Sequence, residues 1–208
     1  MTKFLYVLLF VMILFGGLSF SQDMPATTED GRKVILKKDG SWQFYDASKS
    51  SLTDTSGSYQ KSEKSTSVFN AKGDKFLVWF NPLKWHQKKP ADSDKPSFEH
   101  KDGDIGALVL AERITMSPEA FRELVIKNAQ NAAPDAKVTY EETRIVNGKK
   151  VLCLKMDGTI QGIQFVYYGY YYAGQAGVIQ LLTYTSRNLF SEYESEMTEF
   201  LNGLVIND

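Results

Sequence analysis

The chain has 208 residues, 43% of them hydrophobic and 24% charged, with a formal net charge of −1. That composition is globular, and the length suits one or two domains. The near-neutral balance argues against nucleic acid as a partner, which demands a concentrated basic face.

The N-terminus comes first. Lys3 precedes "FLYVLLFVMILFGGLSF", Phe4 to Phe20, which carries no charge. A basic tip, an apolar stretch and small residues at Ser19 and Ser21 form the layout of a secretory signal. Cleavage is expected after Ser21, making residues 1–21 a signal peptide and the protein extracytoplasmic, either periplasmic or secreted. The rival reading is an uncleaved anchor, the one route by which the chain would meet a membrane. Cys153 is the only cysteine, so no intramolecular disulfide can form. Its apolar neighbours in "VLCLKM" predict a small buried side chain rather than a reactive thiol.

Residues 22–46 predict a small three-stranded meander. Asp30-Gly31 and Asp39-Gly40 are hairpin-turn pairs, "RKVILK" and "SWQFY" read as strands, and Trp42 and Phe44 share one face. Residues 47–67 hold eleven Ser or Thr among twenty-one. With only Leu52 and Tyr59 as sizeable apolar groups, they are expected to form a flexible linker.

The main domain is expected over residues 68–208. "KFLVWF", "IGALVLAERI" and "VLCL" are apolar at both parities, the mark of strands covered on both faces. Asn147-Gly148 predicts a hairpin. Asp157-Gly158 predicts a second turn, feeding a strand from Ile160 to Tyr172, and "AGQAG" turns that strand back. Consecutive hairpins give an antiparallel sheet. One helix is opened by Ser117 with Pro118 at its first position and is closed by Pro134. Another is expected to be capped by Asn188, to carry Tyr193, Met197, Phe200, Leu201 and Leu204 on one side, and to end at Gly203.

Within the tyrosine-rich strand, Phe165, Tyr167, Gly169 and Tyr171 share one face, and Val166, Tyr168, Tyr170 and Tyr172 the other. About 13 residues of strand span roughly 43 Å, more than helices of ordinary length cover. The tip is therefore expected to overhang the core, with Tyr168, Tyr170 and Tyr172 as candidate partner-binding residues. The loop "NPLKWHQKKP" adds Trp85 and His86 as a possible aromatic and cationic rim. A second reading is a small-ligand or lipid carrier, with a pocket between sheet and helix lined by Phe165 and Tyr167.

Catalytic signals are sparse. His100 with Asp102 and Asp104 lacks the spacing of a calcium or transition-metal site, and Asp102-Gly103 reads as a turn. Glu141 and Glu142 are strand neighbours pointing opposite ways. There is no nucleophile elbow and no phosphate-binding glycine loop ahead of a helix. No metal, cofactor or catalytic residue is assigned, and the expectation is a non-enzymatic binding or assembly-accessory protein with a protein partner in the cell envelope.

The order of these elements is similar to a known family. A strand leads into "NPLKW". A further strand precedes a helix opened by "SPEAF". An Asn-Gly hairpin and aromatic strands follow, and a last helix runs into "FLNGLVI". Residues 68–208 resemble the Mog1/PsbP-like superfamily. The resemblance implies an α+β fold, an antiparallel sheet sandwiched between helices (α/β/α), in small proteins that act by docking on larger partners. It carries no shared catalytic motif, and the meander and linker lie outside it.

Overall fold

The computed structural model describes residues 24–27, 33–36, 41–44, 57–71, 75–88 and 95–207. The expected signal peptide, both Asp-Gly turns of the meander and the first part of the linker lie outside these residues. The chain divides into two units, Met1–Ser51 and Leu52–Asp208.

In the first unit, β1 (Met24–Thr27), β2 (Lys33–Leu36) and β3 (Trp42–Phe44) form a three-stranded sheet in that order. Both pairings are antiparallel, with Ala26 opposite Val34 and Val34 opposite Phe44. The expected meander is thus present. The side chains of Trp42 and Phe44 are outside the described set.

The second unit is built on an eight-stranded sheet. In chain order it contains β4 (Ser58–Tyr59), β7 (Trp85–Gln87), β8 (Ser97–His100), β9 (Ile105–Glu112), β10 (Lys137–Val146), β11 (Lys149–Ile160), β12 (Ile163–Gly174) and β13 (Gly177–Ser186). Across the sheet they run β4-β10-β11-β12-β13-β9-β8-β7. All pairs are antiparallel except β4 with β10. A smaller sheet, order β14-β6-β5, uses β5 (Ser67–Asn70), β6 (Phe76–Phe80) and β14 (Leu204–Ile206). The helices are α1 (Pro118–Ala132) and α2 (Phe190–Leu201).

Two-residue turns set the register. Asn147 (φ 47°) and Gly148 (φ 84°) join β10 to β11, as their sequence predicts. The next turn is not at Asp157-Gly158. Gln161 (φ 50°) and Gly162 (φ 80°) make it, and both occupy the left-handed region that such turns require. Gly158 lies inside β11, opposite Phe165, and its purpose is clearance. A Cβ there would sit 3.1 Å from the Cβ of Ala133, so glycine lets the end of α1 press against the strand. The Asp-Gly pair is a tertiary contact that looks like a turn in sequence.

Helix α1 starts as expected. The Ser117 hydroxyl oxygen accepts from the Ala120 N–H at 3.2 Å, and Pro118 occupies the first turn. Phe121 and Val125 are buried. The start of α2 differs from expectation. Asn188 lies within a 3₁₀ turn, Arg187–Leu189, and Leu189 precedes the helix without a side-chain cap. The continuous 3₁₀-to-α run lets the preceding turn take over the role of a cap. Tyr193, Met197, Phe200 and Leu201 of the expected apolar side are all buried on α2, whereas Leu204 lies beyond the helix, in β14.

The two faces of β12 are covered by different layers. Phe121 of α1 meets Tyr171 at a centroid distance of 6.3 Å, which sets α1 over the odd-numbered face. Phe190 of α2 meets Tyr168 edge-on at 5.8 Å, which sets α2 over the even-numbered face. The small sheet shares that second side: Phe80 packs on Phe98 at 5.3 Å, and Phe98 on Phe200 at 5.2 Å. This is an α+β fold with one sheet between helical layers, the second layer completed by three strands.

Residues 57–67 belong to this unit rather than to a free linker. The Ile145 N–H donates to Gly57 O at 3.2 Å and the Asn147 N–H to Tyr59 O at 2.9 Å. Asn147 Oδ1 accepts from the Lys61 N–H at 3.0 Å, and Lys61 Nζ lies 4.9 Å from the Trp79 ring centre. The segment straps the edge of β10. Beyond β4, a register shift between Val138 and Tyr140 bulges β10, which guards the rest of that edge against a foreign strand.

Candidate functional site

The residues that sequence reasoning put on the surface are mostly core. Tyr168, Tyr170 and Tyr172 are 3%, 0% and 7% exposed. The overhanging docking patch is therefore withdrawn. Its physical error was to count only helices as cover. The sheet made by β5, β6 and β14, with α2, roofs the even-numbered face out to Tyr172. The carrier pocket expected at Phe165 and Tyr167 is likewise filled by side chains. Phe165 is 2% exposed, Tyr167 packs on it at 6.4 Å, and Tyr184 closes on Tyr167 at 6.3 Å.

The even-numbered face instead encloses an ion pair. Glu142 and Arg144, two apart on β10, point the same way and are both buried. The Arg144 guanidinium donates to Glu142 and, through Nη1, to the hydroxyls of Tyr168 (2.8 Å) and Tyr170 (2.9 Å). It also lies 4.6 Å from the Tyr59 ring centre, a cation–π contact supplied by the strap. The Tyr170 hydroxyl donates onward to Asn202 Oδ1 at 2.7 Å. Cys153 faces Tyr170 across the strand pair and is fully buried. Burial pushes its thiol up to about 11, with Arg144 pulling the other way. This is the inert buried cysteine expected from its neighbours. The signal that sequence reasoning missed was one charge of each sign, two apart, on a strand whose neighbours are covered on both faces.

On the other face, Glu141 is held by Arg122 of α1 at 2.6 and 2.7 Å. The two glutamates do point apart, as their neighbouring positions require. The Tyr171 hydroxyl on this same face is buried and has no hydrogen-bond partner among the described residues. Replacing Tyr171 by Phe removes an unsatisfied group and is expected to raise unfolding free energy by up to about 1 kcal/mol. Tyr170→Phe strips partners from Arg144 and Asn202 and is expected to lower it by about 1–3 kcal/mol. Urea unfolding of the two variants side by side checks both signs.

At the other end of the sheet, Trp85 is 2% exposed. Its ring lies 4.4 Å from Phe200 and 5.3 Å from His100. It is a plug, not a rim. His86 is outside, with 60% of its side chain exposed and Glu99 at 3.6 Å. Both histidines sit in strands rather than loops. His100 is buried, with Nε2 at 2.6 Å from Glu196 Oε2 and Nδ1 at 3.4 Å from the Asp102 N–H. Lys84 bridges Glu196 and Glu199 at 3.3 and 3.1 Å. These two glutamates of α2 thus fasten the helix to the Trp85 loop. Among the described residues, no three His, Cys, Asp or Glu side chains are grouped to hold a metal ion.

The Asn81–Lys84 turn that precedes Trp85 is strongly fixed. Asn81 is 6% exposed. Its Oδ1 accepts from the Leu83 N–H at 3.0 Å, and its carbonyl accepts from the N–H groups of Lys84 and Trp85. This turn holds Leu83 in water at 82% exposure. A polar groove of about 490 Å³ lies elsewhere, between the strap and α2, lined by Gln60, Ser62, Lys64, Ser195, Thr198, Glu199 and Asn202.

No protein-family model matches the chain, and neither does any curated protein. Solved structures do match. Cyanobacterial PsbP from Synechocystis aligns with a TM-score of 0.50 at 12% identity, over 70% of this chain and 95% of that one. A protein of unknown function from Pseudomonas aeruginosa aligns with a TM-score of 0.45 at 11% identity, over 68% of this chain and 97% of that one. The fold is PsbP-like, as the order of motifs implied. Fold likeness at this identity leaves function to the surface of this chain. Among the described residues, no helix is long and apolar enough to cross a membrane.

Proposed function

We propose that the chain is an exported, non-enzymatic binding or assembly-accessory module that docks on an envelope protein through the Asn81–Gln87 segment. One observation carries this reading: Leu83, 82% exposed, stands on a turn fastened by Asn81, Lys84 and Trp85. The other large apolar side chains found exposed, Val68, Ile114, Tyr140 and Ile163, lie between 39% and 44%. A lone exposed leucine is ordinary on a mobile loop. On a turn locked by Asn81, by the Trp85 plug and by the Lys84 ion pairs, it is a pre-formed anchor that binds without a further ordering cost. His86 flanks it as the polar rim. The docking surface thus keeps the loop expected from sequence but exchanges Trp85 for Leu83.

The test places a photo-crosslinking amino acid at Leu83 or at Ile163 in intact cells. A discrete adduct with an extracytoplasmic protein is expected from position 83 and none from position 163. Leu83→Ser is expected to abolish that association while changing unfolding free energy by less than about 0.5 kcal/mol. Adducts with cytoplasmic proteins alone, or the same adducts from both positions, defeat the proposal.

A further inference from the structure

The strap and α2 face each other as two polar rails. Ser195, Thr198, Glu199 and Asn202 fall at i, i+3, i+4 and i+7, one side of a helix. Opposite them, Gln60 and Ser62 stand on the strap, and Lys64 on the turn that follows, closed by the Ser65 N–H on Ser62 O at 3.0 Å. Between the rails is the groove of about 490 Å³, within the range of small-molecule sites.

The floor is fixed from below. Asn202 Oδ1 is held by the Tyr170 hydroxyl, and the Asn202 carbonyl takes Asn147 Nδ2 at 2.8 Å. Thr198 donates to Glu194 O at 2.8 Å. The Ser62 hydroxyl accepts from the Lys64 N–H at 3.2 Å and sets the bend of the strap. The side chains of Gln60, Lys64 and Ser195 make no hydrogen bond or ion pair with the described residues. The groove is therefore shaped by side chains held by hydrogen bonds and edged by three that no described residue engages.

We propose that this groove binds a neutral, hydroxyl-rich ligand, a mono- or disaccharide unit of a glycan. All seven lining residues are polar, which is wrong for a lipid or an apolar metabolite. Lys64 and Glu199 are the charged residues of the lining, and Glu199 is also neutralised by Lys84 at 3.1 Å, so a single lysine with no second cation in the lining is a poor clamp for a phosphate. Two amides and three hydroxyls supply both donors and acceptors, the requirement for adjacent sugar hydroxyls that each give and take a hydrogen bond. This inference stands on different residues from the Leu83 docking surface, and either can fail without the other.

The experiment titrates the isotopically labelled full-length protein with N,N′-diacetylchitobiose and with maltose, following backbone amides by NMR. Saturable shifts confined to Gln60–Lys64 and Ser195–Asn202 are expected with at least one of the two. Gln60→Ala combined with Lys64→Ala should weaken that binding about tenfold with an unchanged melting temperature, since neither side chain is bonded to a described residue. Ser195→Trp, which fills the groove from its exposed wall, should abolish it. The proposal is overturned if neither sugar gives saturable shifts, if the shifts lie on another surface, or if inorganic phosphate saturates the same amides as well as the sugars do.

Discussion

Raising the pH through about 10 to 11 is expected to unfold this protein cooperatively. Tyr167, Tyr168, Tyr170, Tyr171 and Tyr184 are all held well above the ordinary phenol value of 10.0, in each case chiefly by burial. The native state keeps these five protons after the unfolded chain has released them. Stability is therefore complete below the unfolded value and falls as pH rises past it. Each ring contributes about 1.4 kcal/mol of loss by about pH 11, so five together remove about 7 kcal/mol. Domains of this size have about 5–15 kcal/mol in all. Cys153 adds to the same trend between 9.0 and about 11. The phenolate absorbance of these five rings should appear together with the loss of near-UV circular dichroism in one sharp transition. More than six phenolates, out of the chain's eleven tyrosines, under an intact near-UV spectrum would mean that the five rings are open to water.

The second large effect concerns the enclosed ion pair. Arg144→Met is expected to cost about 3–5 kcal/mol, because Glu142 is left charged, buried and without its cation. The tyrosine hydroxyls that take Arg144 Nη1 lose their donor in the same step. Pairing it with Glu142→Leu removes the stranded charge and should recover a large part of the loss. A buried pair is expensive to break and cheap to replace whole. Denaturant unfolding of the two single variants and the double variant measures the coupling. A loss under about 1 kcal/mol for Arg144→Met, or no recovery in the double variant, would show that water reaches the pair.

The contrast between these residues and the expectations from sequence is instructive. Parity along β12 assigns each aromatic residue to its correct face, because alternation is a property of the strand itself. The Asn147-Gly148 hairpin and the Ser117 cap are equally local and are found where they were expected. Asp157-Gly158 misleads because glycine serves two needs, backbone freedom and clearance, and only the position of Ala133 says which applies. Asn188 fails as a cap because the chain enters α2 through a 3₁₀ turn. The segment 57–67 has the composition of a linker, yet Tyr59 and the ties from Asn147 suffice to draw it onto the sheet. The tyrosines went astray through what lies above them. A sheet that joins β5 and β6 to β14, more than 120 residues further along the chain, has no periodicity that announces which face it will cover. Leu83 and the groove were invisible for the same reason, since exposure and opposition of two rails exist only once the chain is folded.

The single thiol, on β11 within the eight-stranded sheet, gives this protein a built-in clock. Cys153 is sealed beneath α2 and the small sheet, so a reagent reaches it only when that roof lifts. With no second cysteine to compete, the labelling rate of the unmodified chain counts those openings directly. Anything that seats against the strap or the helix and holds the roof down would register as a slower tick, before its own chemistry is known.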